Sequence, residues 1–237
     1  MPHAVIVAHG QPSDPAPAEA SLAAFARSVD AMAPQVSVVS ATLAAPEALE
    51  TCLDGLPDGT AIYPLFMAKG WFVTSALPKR VGSRDIRILD PLGVDPDLPS
   101  LVADALQGVL AGQQNDARDV DLVIAAHGSG RSSNPAKVTE EFASHLHALL
   151  PFNSVRLGFV EQPPSIAEAA TGTDRNAICL PFFACTGGHV LEDVPQELAR
   201  AGFSGHVIPV VGELPGVQRH IAKTLSRALG DEGQPDA

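Results

Sequence analysis

The chain has 237 residues, 46% of them hydrophobic and 18% charged, and a formal net charge of −12. This composition supports a sizeable buried core and excludes a wholly disordered chain. No apolar run approaches the ~18 residues of a membrane-spanning helix, and the acidity argues against the basic footprint of a nucleic-acid binder. In chain order, short continuous apolar runs at Ala4–Ala8, Val36–Ser40, Ala61–Phe66 and Ile86–Leu89 read as strands. A second series follows at Asp121–Ala126, Val155–Val160, Ala177–Phe183 and His206–Val211. Runs that are continuous, not alternating, indicate strands covered on both faces, as in a parallel sheet. Helices are expected at Ala18–Ala31, Leu98–Leu110, Pro135–Leu150 and Pro215–Leu229. In the third of these, Asn134 is placed to cap and Pro135 to open the helix, with Val138, Phe142, Leu146 and Leu149 at helical spacing. His145 and His147 are two apart, diverge around that helix and are expected to face solvent.

Strand–helix alternation occurring twice predicts an α/β protein of two lobes with parallel sheets, 1–112 and 120–229, joined by polar Gly112–Asp119. The polar tail Gly230–Ala237 is expected to fray. The lobes look like copies of each other. Val7-Ala8-His9-Gly10 matches Ala125-Ala126-His127-Gly128 at an offset of 118, and Pro64-Leu65-Phe66 matches Pro181-Phe182-Phe183 at 117. Pro78 then matches Pro195, again at 117. Collinear anchors at nearly one offset point to an internal duplication. Cys52, Cys179 and Cys185 make no CxxC pair and no even framework, and the N-terminus has neither a basic segment nor a cleavage site. Free thiols and a cytoplasmic location are therefore expected.

The repeats differ where chemistry would sit. His127, Glu161 and His189 each follow a strand of the second lobe. The first lobe keeps His9 but has Leu43 opposite Glu161 and Phe72 opposite His189. Ligands bind above strand C-termini in open α/β sheets, and two imidazoles with a carboxylate suit a borderline divalent ion such as Co²⁺, Fe²⁺, Ni²⁺ or Zn²⁺. The same groups can take up protons near neutral pH. Asp193 reads as a helix cap, because Asp193-Val194-Pro195-Gln196 fits the capping pattern. Glu192 could line the site, and Cys185 reads as a buried, inert thiol.

The His-Gly after the first strand, Glu161-Gln162-Pro163-Pro164 after the second, and Pro181-Phe182-Phe183 running on to Gly187-Gly188-His189 and Asp193-Val194-Pro195 resemble the class II tetrapyrrole chelatases. The likeness is greatest to the sirohydrochlorin cobaltochelatases and ferrochelatases. The resemblance covers nearly the whole chain and implies two flavodoxin-like lobes with a cleft between them. It implies ATP-independent insertion of a divalent metal (Co²⁺, Fe²⁺ or Ni²⁺) into a metal-free tetrapyrrole, in cobalamin or siroheme synthesis. The metal would be a substrate, with no permanent cofactor. By motif match His127 and His189 would handle the metal and Glu161 would assist. Many long members of that family carry the complete histidine set in the first half. Its place here in the second resembles the anaerobic cobaltochelatases and the protoporphyrin ferrochelatases.

A macrocycle could pack on Trp71 or Phe72 across a cleft, beside Met67 and Val73. Its carboxylates would need local cations in so acidic a chain. Arg131, opposite the uncharged Ser13, is the candidate, with Lys69, Lys79 and Arg80 behind it. A duplicated chain supplies both lobes, so a monomer is expected, with a small-molecule substrate and neither nucleic acid nor membrane as partner. Two rivals have other chemistry. Histidine phosphatases carry Arg-His-Gly, but Ala8 and Ala126 stand at the arginine position. A metal or tetrapyrrole carrier would share the residues and not turn over. A nucleotide site lacks its GxGxxG or P-loop motif.

Overall fold

The computed structural model describes residues 1–230. Of the expected polar tail, 231–237 lie outside the described residues.

Among the described residues, eight parallel strands form two four-stranded sheets. The first contains β1 (His3–Ala8), β2 (Ser37–Thr42), β3 (Thr60–Pro64) and β4 (Ile86–Ile88), in the order β2-β1-β3-β4. The second contains β5 (Asp121–Ala126), β6 (Ser154–Phe159), β7 (Ile178–Phe182) and β8 (His206–Val207), in the order β6-β5-β7-β8. The helices are α1 (Pro15–Asp30), α2 (Ala48–Asp54), α3 (Leu77–Val81), α4 (Leu98–Gln113), α5 (Asn134–Leu149), α6 (Ile166–Ala170), α7 (Val194–Arg200) and α8 (Pro215–Gly230).

The burial pattern explains the apolar runs. In β1 and β5 every residue but the first is buried, because helices cover both faces. On one face of the first sheet, Val5, Val7 and Ile62 pack with Leu49 and Leu53 of α2 and Leu77 and Val81 of α3. On the matching face of the second, Val123, Ala125 and Cys179 pack with Ile166 and Ala170 of α6 and Val194 and Leu198 of α7. Ile124 is fully buried, so truncating it to Ala would cost about 2–5 kcal/mol. In α1, Leu22, Phe25, Ala26 and Val29 recur at helical spacing and are buried.

Helix α5 departs in detail from the sequence reading. Ser133, not Asn134, occupies the position before the helix, without a side-chain cap, and Leu149 is 51% exposed. Ala136, Thr139 and Ala143 make up the buried stripe with Phe142 and Leu146. His145 and His147 face solvent.

The chain divides into two compact units. One is Met1–Leu92 together with the last helix from Val217 onward, and the other is Gly93–Gly216. Each repeat's closing helix, α4 or α8, thus groups with the other repeat's strands. In each sheet the order in which strands are laid down reverses between the first and third strands of the repeat, which makes the ends of those strands the binding position of such a fold.

Candidate metal and substrate site

The second unit brings three distant side chains together. His127 leaves the end of β5, and the ladder carries on past β6. Val160 N–H donates to Ala126 O at 3.0 Å and Glu161 N–H to His127 O at 3.0 Å, so the backbone seats Glu161 beside His127. His189 arrives from β7 across Gly187 and Gly188 and opens a π-helical turn, His189–Asp193, that leads into α7. The His127 and His189 rings lie 4.5 Å apart at 87°. One ligand atom from each of His127, Glu161 and His189 lies within 4.8 Å of the other two. Bonds of ~2.1 Å in a tetrahedral shell place ligand atoms ~3.4 Å apart, so the trio is gathered to within reach of one ion but must close further to bind it.

Hydrogen bonds assign the nitrogens. His127 Nδ1 lies 3.0 Å from Gly128 O, and His189 Nδ1 lies 2.7 Å from Asp193 Oδ2. Each Nδ1–H is donated to an oxygen, which leaves each Nε2 lone pair for a cation. His127 and Glu161 are about half exposed, 45% and 49% by side chain, so solvent reaches the trio. Glu161 and Asp193 together bring two carboxylates to a site that suits a dication.

Asp193 is therefore not a helix cap. Its side chain makes no cap hydrogen bond to α7, and its carboxylate turns back to His189 across the π turn. Glu192 is exposed, and Cys185 lies outside the group formed by His127, Glu161 and His189. The Cys185 thiol is pushed up to about 11, by burial and then by the Glu213 charge, so it remains protonated near neutral pH.

The glycine after each histidine is sterically required. Gly128 has φ +69°, and a Cβ there would stand 2.7 Å from Gln162 Cγ. Gly10 has φ +78° and meets Thr42 Cβ at 2.7 Å in the same way.

The first unit repeats this framework with only the first histidine kept. His9 meets Phe72 edge-on at 4.3 Å and 84°, close to the geometry of His127 with His189. Phe72 opens a π turn, Phe72–Ala76, where His189 opens the other, so Ala76 stands where Asp193 does. At the carboxylate position the sequence alignment needs correcting. Ala44 N–H donates to His9 O as Glu161 N–H does to His127 O, so Ala44, not Leu43, is the backbone equivalent of Glu161. The one-residue difference arises because β1 maps onto β5 at an offset of 118 while its partner β2 maps onto β6 at 117.

Residues 3–109 and 121–232 match the CbiX family profile. The chain belongs to the CbiX family. A solved CbiX, described as the terminal enzyme for siroheme biosynthesis in denitrifying bacteria, is 43% identical. It superposes with a TM-score of 0.84 over 95% of this chain and 99% of that one. SirB from Bacillus subtilis, solved with Fe³⁺, shares the fold at 18% identity and a TM-score of 0.71, over 100% of this chain and 99% of that one. A curated relative from Halobacterium salinarum, named a probable sirohydrochlorin cobaltochelatase, is 23% identical over 169 residues. That match covers 59% of this chain and 57% of that protein, so the chain spans a little over half the length of that curated relative.

In this CbiX-family chain the other residues singled out from sequence lie as follows. Arg131 is exposed in the Gly128–Ser133 loop and helps line an open depression of about 500 Å³ with Ser129, Ser132, Ser133, Lys137 and Gln162. The loop is tied to the Glu161 segment, because Ser129 N–H donates to Gln162 Oε1 at 2.8 Å. Trp71 is 66% exposed and Phe72 37%, and the two rings meet at 5.3 Å. Lys69 pairs with Asp90, and Arg80 is taken up by Glu50 and Leu43 O, while Lys79 is exposed. Among the described residues no helix is long and apolar enough to cross a membrane.

Proposed function

We propose that this chain inserts a divalent metal, Co²⁺ or Fe²⁺, into sirohydrochlorin or a related metal-free tetrapyrrole, without ATP, in siroheme or cobalamin biosynthesis. The observation that carries this reading is the convergence of His127, Glu161 and His189 within 4.8 Å in a chain of the CbiX family. The named activities of the siroheme-biosynthesis CbiX and of the probable cobaltochelatase support the substrate class. Cobalt- and Fe³⁺-bound forms of SirB support a first-row metal as the substrate.

The reaction exchanges two pyrrole N–H protons for one M²⁺. His127 and His189 replace hydration waters through Nε2, Glu161 completes the set, and Glu161 and a histidine freed as the metal leaves accept the two released protons. Holding a partly stripped ion in place removes much of the entropic cost of its meeting the ring nitrogens. Arg131, with the hydroxyls and N–H groups of its loop, pairs with substrate carboxylates. Trp71 and Phe72 offer flat apolar faces suited to a macrocycle. Unpaired thiols at Cys52, Cys179 and Cys185 suit a reducing compartment such as the cytoplasm.

The test is a multiple-turnover measurement. Catalytic protein is mixed with excess sirohydrochlorin and each of Co²⁺, Fe²⁺ and Ni²⁺, and a porphyrin is run in parallel. Visible spectra are expected to convert many equivalents per chain with one or more of the metals. Conversion that stops at one equivalent would mark a carrier and sink the enzyme reading.

A further inference from the structure

His189 depends on a turn with little to hold it. The turn runs through two glycines, and a Cβ built on Gly187 meets nothing within 4 Å. One residue earlier the chain is fastened. Glu213, in the turn Val211–Glu213 that precedes α8, accepts Thr186 N–H at Oε1 (2.7 Å) and Thr186 Oγ–H at Oε2 (3.0 Å). The base of this fastening is rigid. Gly212 N–H donates to Phe183 O at 3.1 Å, and a Cβ on Gly212 would fall 1.8 Å from Ala184 O, so only glycine allows the two segments to lie this close. Beyond Thr186, the Gly187 carbonyl accepts N–H groups from Val190 and Leu191, which sets the first turn bearing His189.

The repeat separates this device from the needs of the fold. At the offset of 117 that pairs Phe72 with His189, Thr186 corresponds to Lys69. At the offset of 119 that pairs Pro96 with Pro215, Gly212 corresponds to Gly93 and Glu213 to Val94. The first half forms the same π turn with neither partner of the fastening, Lys69 there pairing instead with the exposed Asp90. The Thr186–Glu213 pair thus occurs in the half that keeps the ligand trio and is missing from the half that lost it.

We infer that Glu213 is a positioning residue: its two hydrogen bonds to Thr186 hold the Gly187–Gly188 turn in the conformation that sets His189 against His127. The inference rests on the trio being the metal site. Removing the bonds frees a glycine turn, so the ion must organise its own ligand, and metal affinity falls while the chemistry of an already loaded site changes less.

The experiment titrates the whole protein with Co²⁺ alone, read by its visible ligand-field absorption. Thermal melting and KM for Co²⁺ against kcat with sirohydrochlorin are measured alongside. Wild type is expected to bind one Co²⁺ per chain. Glu213→Ala is expected to weaken binding about 10-fold and raise KM for Co²⁺ more than it lowers kcat. Glu213→Gln, whose Oε1 still accepts Thr186 N–H, restores most of the affinity. If Glu213→Ala fails to fold, Thr186→Val, which loses only the hydroxyl bond, is expected to weaken Co²⁺ binding severalfold at an unchanged melting temperature. Wild-type Co²⁺ affinity in folded Glu213→Ala, or in Thr186→Val where Glu213→Ala does not fold, would overturn the inference. A Glu213→Gln loss equal to that of Glu213→Ala would overturn it too, by making charge the cause. No Co²⁺ binding by wild type, or none lost in His189→Ala, would instead refute the trio on which it rests.

Discussion

His189 donates its Nδ1–H to the Asp193 carboxylate 2.7 Å away, across a single π turn. The bond fixes the ring's tautomer and orientation and keeps Nε2 as the lone-pair nitrogen. Asp193→Asn keeps the shape but loses the charge, and its amide can rotate to donate to Nδ1, reversing the tautomer. Steady-state Co²⁺ insertion by Asp193→Asn is expected to show kcat/KM about 10–100-fold below wild type. Asp193 makes no cap bond to α7, so melting is expected to move little. An Asp193→Ala protein of wild-type rate would contradict the role.

The His9–Phe72 pair in the first unit implies that a lost site can be rebuilt. The rings already meet at 4.3 Å and 84°. What is missing is a second imidazole, its carboxylate partner and the assisting carboxylate. The triple variant Ala44→Glu, Phe72→His, Ala76→Asp restores all three at their backbone equivalents. Co²⁺ titration of this variant is expected to saturate at about two equivalents per chain, against about one for wild type, by the same ligand-set argument. Saturation at the wild-type equivalence would show that Ala44 or Ala76 is not the equivalent assigned here.

Gly128 combines φ +69° with a Cβ position 2.7 Å from Gln162 Cγ and 2.9 Å from Phe159 Cβ. Gly128→Ala is expected to cost about 1–3 kcal/mol, lowering the melting temperature by several degrees. Gly130→Ala is the control. A Cβ there meets Glu161 O at 3.6 Å, an ordinary contact, and the melting temperature is expected to stay within about a degree.

Arg80 grips both oxygens of Glu50 and also donates to Leu43 O. The Arg80 hydrogen bonds hold the Glu50 carboxyl below its usual range. A lowered folded pKa means stabilisation that is complete above the unfolded value and lost as pH falls through the folded one. Glu50→Gln is therefore expected to melt below wild type at pH 7 by no more than about 1 kcal/mol, since the pair is partly exposed. The gap is expected to narrow as pH drops below about 4. Thermal melts of both proteins from pH 7 to pH 3 check the sign, and a gap that widens in acid would contradict it.

Much of this was legible in one dimension. Val5 to Val7 and Leu122 to Ile124 announce buried parallel strands because nothing polar interrupts them, and the repeat marks His127, Glu161 and His189 by what replaces two of them. Asp193 was misread because an aspartate just before Val194-Pro195 fits a capping pattern as well as an i,i+4 partner of His189, and local spacing does not separate the two. The equivalence of Ala44 with Glu161 depends on strand register, which slips by one residue without changing the apolar pattern. The Thr186–Glu213 fastening joins residues 27 apart, with α7 and β8 between them, and nothing in either segment alone signals it.

The central claim is that His127, Glu161 and His189 seat the metal that enters the macrocycle. Its most direct measurement is the turnover number for Co²⁺ insertion into sirohydrochlorin, followed by visible absorption, in wild type and His189→Ala at equal folded concentration. The account predicts sustained turnover in wild type and a loss of at least about 100-fold in His189→Ala, with the melting temperature preserved. A folded His189→Ala protein that turns over at the wild-type rate would contradict it.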